Sequence, residues 1–515
     1  MNAETYYKIC TYLRNIIEGT QWENHVFTVG GCCRDVIMGN EINDVDLAVN
    51  LPNGGVELAQ WLHQKKLTVG APICFYKYGT ARLSLKEFPQ YEIELVQTRK
   101  EKYTKENSRC PEVAFGTLED DCLRRDLTIN TLYYNITSGE TLDFSHKALD
   151  DIAAHRLRTP MDPDRTYDDD PVRILRTIRM AARYGWDIDP ETMRAIYDNV
   201  DRLAIVSRER MHTELSKLLS EPGAVRGLRM LADTGALKYV IPRMELTVNT
   251  PDGKEEDGVP SVWEETLAEL EGLKIPSGVS AEDAVNLKLA VLLRQIAKPA
   301  ARVRDRFGNI SFPRYAMRSA DMARKDLRKL KFTPETLKLV SGLIAYGDTT
   351  EHWADFAQEM TDSELRRLQY RMGSYENFMM LLALINAQDV ARGRKYHTAQ
   401  IKKRTRQLMA DGEDMFNFDS GLTDKEIIKA IPEEFRKQPE ALHSAKKYLD
   451  TLAIDFPRRS KSEWKEELKK FNASNIITES SSEVHKKKHP KRRTGGSRKR
   501  NSAKPTRKRS VTRSS

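Results

Sequence analysis

The residues best suited to chemistry lie in VGGCCRDVIMGNEINDVDLAV, residues 29–49. Asp44 and Asp46 are two apart, a spacing that turns both side chains to one face of a strand. Two hard carboxylates at one spot are the donors that a magnesium ion selects. Upstream, Gly30 and Gly31 turn the chain, and a helix is expected to begin at Arg34. Backbone N–H groups at such a turn, with the helix dipole behind them, favour a triphosphate. Arg34 adds a fixed cation whose fork suits phosphate oxygens. A D-x-D pair alone is usually a solvated turn, and glycine pairs are common. In the order strand, glycine pair, helix, strand, with the arginine, they point to nucleotidyl transfer. In the two-metal form of that chemistry, one ion activates an attacking 3′ hydroxyl and the other clamps the leaving pyrophosphate. Glu94, in YEIELVQTR, is a candidate third carboxylate; Glu92 lies on the same strand face, so the choice stays open.

Two further segments carry charge in a pattern. RRDLTIN sets Arg124, Arg125 and Asp126 before what reads as an apolar helix. In DDPVRILRTIRMAARYG, Ile174, Ile178, Ala181 and Ala182 form one apolar stripe. Arg173 and Arg176 lie largely opposite it, with Asp170 and Arg179 toward its flanks. Like charges on one helix repel, so this row calls for an anionic partner; the bland alternative is a solvated charged face.

These residues need elements to position them. Residues 1–145 alternate strand-like and helical runs: HVFTVGG, NDVDLAVN, then ARLSLKEF and YEIELVQT around a Pro89-Gln90 turn that reads as a hairpin. The expected sheet is small and mixed, with largely exposed faces. From residue 168 the spacing becomes helical almost to 455. Helix ends are expected at Gly185, Gly223 and Gly235, and a polar linker over 244–260.

Composition narrows the class. With 39% hydrophobic and 31% charged residues, the chain reads as globular, and its 515 residues suggest three or four domains. No apolar run approaches the ~18 residues that span a bilayer. The N-terminus reads as an amphipathic helix, so a secretory signal is not expected. Six cysteines without C-x-x-C or zinc spacing suggest reduced thiols and a cytoplasmic protein. The net charge of +9 is uneven: residues 486–515 hold 14 Lys or Arg and no acid, which leaves −5 for the rest. Past residue 470 the composition cannot bury a core. The basic run 485–515 is suited to RNA or ribosome tethering through phosphate neutralisation.

In sequence order, GGCCRD, DVD, DCLRRDLTINTLYYN (121–135), LDF…ALDDIAAHRLRT (142–159), DDDPVRILRTIRMAARYGW (168–186) and VSRERMHTELSKLL (206–219) resemble the class II nucleotidyltransferases. That family comprises CCA-adding enzymes and bacterial poly(A) polymerases. The resemblance implies an α+β fold: a nucleotidyltransferase palm over 1–145, then a helical neck over 146–245 carrying the base-recognition helix. It implies two Mg²⁺ ions on Asp44 and Asp46, the catalytic pair, and nucleotide contacts from Gly30, Gly31, Arg34, Arg125, Asp170, Arg173, Arg176 and Arg179. Asp170 and Arg173 match the family's template-reading positions. Cytosine and adenine each offer an exocyclic amine beside an unprotonated ring nitrogen, which suits a carboxylate acceptor and a guanidinium donor. Uracil and guanine reverse that pattern and leave buried groups unpaired, at ~1–3 kcal/mol each. Asp169 stands where the family usually has glutamate, which shortens its reach.

Residues 286–332 resemble the His-Asp phosphohydrolase module of one subgroup, but in degenerate form. Arg294 and Gln295 replace the His-Asp pair, Tyr315 stands for a later His and Glu265 for an earlier one. Arginine cannot ligate a divalent cation, so a structural module is expected over 246–395. A helical RNA-binding segment over 396–470 and a disordered tail over 471–515 complete the expectation. The implied activity is addition of CCA to the tRNA 3′ end from CTP and ATP, with no membrane involved. The alternatives are AMP addition to RNA by a poly(A) polymerase and an inert RNA-binding protein on a palm scaffold. Intact Asp44, Asp46 and Arg34 argue against the last.

Overall fold

The computed structural model describes residues 1–102, 112–253, 258–347, 360–394 and 398–476. The basic run 485–515 and Cys110 lie outside the described residues. The chain forms two compact units, Met1–Asn417 and Phe418–Ser515.

The N-terminal part is built on α1 (Ala3–Ile17), β1 (Val26–Val29), α2 (Gly31–Ile37), β2 (Val45–Val49), α3 (Gly54–Gln64), β3 (Ile73–Phe75), β4 (Thr80–Leu85) and β5 (Phe88–Gln97). It continues through β6 (Arg99–Lys102), β7 (Glu112–Phe115), α4 (Leu118–Leu123), β8 (Leu132–Asn135) and β9 (Thr141–Asp143). Seven strands form one mixed sheet in the order β3-β4-β5-β2-β1-β8-β9. β2 and β5 run parallel; every other pair in this sheet is antiparallel. The largely exposed faces that the sequence suggested are found at β3, β4 and β5 but not at the central strands β1 and β2. β1 is buried at all four positions. Val26, Val45 and Leu47 pack into a core shared with α1 and α3, and Phe27, Val29 and Ala48 into a second cluster with Cys122 and Tyr133. Both faces are covered at β1 and β2, so these central strands carry apolar residues on both, while β4 and β5 alternate and β3 stays largely exposed.

Two local elements differ from expectation. The β4–β5 hairpin turns at Lys86-Glu87, because Leu85 pairs with Phe88. Pro89 and Gln90 sit inside β5, beyond the stretch from Ile93 that pairs with β2, so the missing proline N–H breaks no ladder there. After Asp126 comes one 3₁₀ turn, Thr128–Asn130, and then β8, not a helix. Thr128, Ile129 and Asn130 are all buried, so this short apolar run lacks the exposed face that would mark an amphipathic helix.

Beyond the sheet come α5 (Ala148–Ala153), α6 (Pro163–Asp169), α7 (Val172–Tyr184), α8 (Pro190–Asn199), α9 (Arg208–Ser220) and α10 (Ala224–Asp233). Gly185 ends α7 in the left-handed region, and Gly235 follows α10 similarly; Gly223 instead opens α10. The expected linker over 244–260 begins as a helix, Pro242–Val248, with proline in its first turn and Met244 and Thr247 buried.

α7 is the hinge of the design. Ile174, Ile178 and Ala182 join the helical core, whereas Met180 and Ala181 join the core of the sheet. The single stripe read from the sequence is therefore two, and the helix is sandwiched. Arg173, Arg176 and Arg179 run along the seam. In the second unit, Trp464 is buried against Phe418 at 5.7 Å between ring centroids.

Candidate active site

A cleft of about 810 Å³ opens between the sheet and the seam of α7. Its lining includes Gly30, Gly31, Arg34, Asp44, Asp46, Arg125, Asp170, Arg173, Arg176 and Arg179, all expected from the sequence; Glu92 and Glu94 are not among the lining residues. Positions spread over 150 residues thus face one volume.

The glycine pair shapes its floor. Gly30 has φ +78°, and a β-carbon there would sit 3.1 Å from Arg125 Nη1. Only glycine accepts that backbone without strain. α2 opens at Gly31, three residues earlier than expected, because Gly30 already serves as its N-cap. Arg34 is consequently inside the helix and buried. Its Nε and Nη2 donate to Asp35 at 3.0 and 2.8 Å, Nη1 donates to Asn130 Oδ1, and the guanidinium lies 5.3 Å from the Tyr184 ring centre. Arg34 reaches the cleft as a braced cation, not a mobile one.

The carboxylates come from β2 and its approach. Asp46 lies in the strand, and Asp44 immediately precedes it. Glu94 on β5 is the register partner of Asp46, which places it nearer than Glu92 to that carboxylate. Arg82 lies 3.6 Å from both Glu92 and Glu94. Burial, then the charges of Glu94 and Asp44, push the Asp46 carboxyl up to about 6 against the pull of Arg125. Among the described residues no group of three His, Cys, Asp or Glu side chains is gathered to hold a metal. The crowded negative charge at Asp46 and the all-oxygen donor set fit a hard divalent cation.

Arg125 and Arg124 both grip Asp121, with Arg125 Nη2 at 2.9 Å. Although burial opposes its charge, these arginines hold Asp121 well below the usual carboxylate range. On the other wall, Arg176 Nε donates to Asp126 at 2.7 Å, and Arg179 Nε to Glu214 at 2.8 Å. Arg179 also lies 3.5 Å from Glu221. The anionic partner that the arginine row demanded is thus supplied in part by the protein. Asp170 is gripped by Arg210 through two bonds of 2.9 and 2.6 Å, and Arg173 Nη1 donates to the Thr166 carbonyl at 3.3 Å.

Sequence reading missed several lining residues: Lys77, Tyr78, Arg99, Asn130, Arg210 and Lys217. Arg210, Glu214 and Lys217 share one face of α9 at helical spacing, a signal that was available. Tyr78 and Arg99 carry none, since only tertiary placement brings them to the cleft.

A second charged cluster lies in the helical part. Arg294 Nη1 donates to Glu269 at 2.5 Å, and Nη2 donates to Gln388 Oε1 at 2.7 Å and to the Tyr315 hydroxyl at 3.2 Å. Gln295 donates to the same Glu269 oxygen at 3.2 Å. Lys298 pairs with Asp252, and Arg392 with Glu265 at 2.6 Å.

The fold and the cleft define a nucleotidyltransferase palm with a helical extension. Residues 26–158 match the family described as Poly A polymerase head domain, and 185–246 the one described as Probable RNA and SrmB-binding site of polymerase A. Asp170–Arg179 fall between the two matches. The chain is 38% identical over 216 residues, 39% of each chain, to the protein named CCA tRNA nucleotidyltransferase, mitochondrial, of Saccharomyces cerevisiae. It thus matches about two fifths of that relative's length. It is 30% identical over 326 residues to the CC-adding tRNA nucleotidyltransferase of Thermus thermophilus, covering 62% of this chain and 67% of that one. In fold it is similar to the Bacillus stearothermophilus CCA-adding enzyme solved with CTP, at TM-score 0.58 and 19% identity over 91% of this chain and 98% of that one. The chain belongs to the tRNA nucleotidyltransferase and poly(A) polymerase family. Among its described residues no helix is long and apolar enough to cross a membrane.

Proposed function

We propose that the protein adds CMP and AMP, from CTP and ATP, to the 3′ end of tRNA and so builds its CCA terminus without a nucleic-acid template. The observation that carries this reading is one cleft holding both a carboxylate pair and a base-reading pair, Asp170 and Arg173. The RNA 3′ oxygen forms a bond to the α-phosphorus while the α–β anhydride bond breaks and pyrophosphate leaves. Asp44 and Asp46 would hold two magnesium ions, which would activate the hydroxyl and neutralise the leaving group. Gly30 and Gly31 offer backbone N–H groups and a close approach for the triphosphate. Arg34 and Arg125, both braced by carboxylates, supply positive charge at fixed positions, which stabilises a transferring phosphoryl group without rearrangement.

Base choice falls to the α7 wall. A carboxylate has about four acceptor sites, so Asp170 keeps capacity for an exocyclic amine while Arg210 grips it. Arg176 and Arg179 act as positioning residues, tying α7 to Asp126 and α9 so that Asp170 and Arg173 face the nucleotide base. The family description as a poly(A) polymerase head favours a second reading, addition of AMP alone. The cluster around Arg294 supports a helical module with no phosphohydrolase activity. The cysteine spacing in the sequence suits a reducing compartment such as the cytoplasm; the yeast relative is named as mitochondrial. The basic tail would hold RNA through its phosphates.

The test is extension of labelled tRNA lacking its CCA end, with Mg²⁺ and with CTP and ATP offered separately and together. Two C and one A are expected. Two C only would assign the chain the activity named for the Thermus relative, and an unlimited A ladder the second reading. No extension would overturn the proposal.

A further inference from the structure

A second surface flanks the cleft at the edge of the sheet. β3 is the edge strand of the seven-stranded sheet and is only three residues long. It runs into a 3₁₀ turn, Tyr76–Tyr78. Ile73, Phe75, Tyr76 and Tyr78 are 60, 46, 69 and 46% exposed. Single exposed apolar residues are ordinary, but four within six positions form a patch that calls for a partner. The patch is also ordered. Gly79 ends the turn at φ +62°, where a β-carbon would meet the Gln97 side chain at 2.6 Å, and Gln60 Nε2 donates to the Tyr76 hydroxyl at 3.0 Å.

We propose that the turn Phe75–Tyr78 is a stacking platform for the unpaired 3′ nucleotides of the RNA that the cleft extends. Two observations select RNA. The patch is continuous with the cleft, because Lys77 and Tyr78 line the same volume as Asp44 and Asp46. Its chemistry is aromatic and basic by turns: Lys77 Nζ lies 5.6 Å from the Tyr78 ring, and Arg99 and Arg124 line the cleft with them. Single-stranded nucleic acid is bound by that combination, rings for bases and cations for phosphates. A second copy of this chain is the weaker occupant, since a three-residue edge offers few main-chain groups to pair.

The inference rests on the proposed function, and its test separates the two. Full-length Phe75→Ala and Tyr76→Ala proteins are compared with wild type on a hairpin RNA that ends in unpaired 3′ nucleotides, the last one fluorescent. Each alanine is expected to weaken RNA binding, and to raise the KM for RNA, by about tenfold, the loss of one stacked base. kcat and the KM for CTP should stay unchanged. Tyr76→Phe, which keeps the ring and loses only the bond from Gln60, should behave as wild type. Unchanged RNA affinity in both alanine variants overturns the platform, as does a dimer that these variants dissociate with no effect on RNA. If wild type binds the hairpin through Tyr76 but extends nothing, the platform stands and the proposed function falls.

Discussion

Two carboxylate clusters in this protein differ in the charges that face their acids. In the helical part, Asp252, Glu265 and Glu269 each face a side-chain cation: Lys298, Arg392 and Arg294. In the cleft, Asp46 sits beside Glu94 and Asp44, and the net effect raises its carboxyl to about 6. Burying a charge is costly unless it is paired; each acid of the first cluster has a cation of its own, whereas the nearest charges that act on Asp46 include two further acids. That difference separates a structural cluster from a binding one more sharply than residue types do. Both hold acids from different elements, and only one leaves its charge for something from outside.

The comparison breaks first if the cleft acids prove dispensable. Asp44→Asn and Asp46→Asn should each lower nucleotide incorporation by about a thousandfold or more, the scale of losing a main electrostatic contact at a transferring group. The proteins should keep their fold, as circular dichroism would report. Activity within tenfold of wild type at either position would remove the pair from the reaction.

The helical cluster should fail in the other way. Arg294→Met removes the cation beside Glu269, whose side chain is fully buried. Stranding one partner of a buried pair costs about 3–5 kcal/mol, so thermal melting should fall markedly. Incorporation per folded molecule should be kept. Adding Glu269→Gln to the same protein should restore much of the loss, because the stranded charge is gone. Equal melting of Arg294→Met and wild type would show that the pair carries no such role.

Much of the cleft was legible from the sequence because its chemistry is local. Gly30-Gly31 and Asp44-x-Asp46 sit on short elements whose periodicity fixes where side chains point, and spacing alone brings the carboxylates together. The α7 arginines were legible as a row, but the burial of Arg173 and Arg179 was not. A helix between two cores shows two apolar stripes that overlap on a wheel, and the sequence hides which stripe faces which body. Arg34 was read as an available cation, whereas Asp35 and Asn130 brace it. Asp35 is its sequence neighbour, but Asn130 lies 96 residues away. The Pro89-Gln90 turn misled because proline is a strong turn signal. Its tolerance inside β5 depends on where β2 stops pairing, which is a tertiary fact.

The smallest effect sharpens the comparison most. Asp46 has a folded pKa of about 6 against the usual 3.8, so folding favours its protonated form. Its share of stability is therefore present below pH 4 and lost as pH rises through about 6. Asp46→Asn removes that titration. In EDTA at pH 7.5 the variant should be more stable than wild type by about 1–3 kcal/mol, the size of a shift of this order. At pH 4 the two should converge, since the wild-type carboxyl is then protonated in the folded state. Saturating Mg²⁺ at pH 7.5 should raise wild-type melting and leave the variant unmoved. A variant less stable than wild type in EDTA at pH 7.5 would mean that Asp46 is already paired within the protein, as Glu269 is with Arg294, and the contrast between the two clusters would vanish.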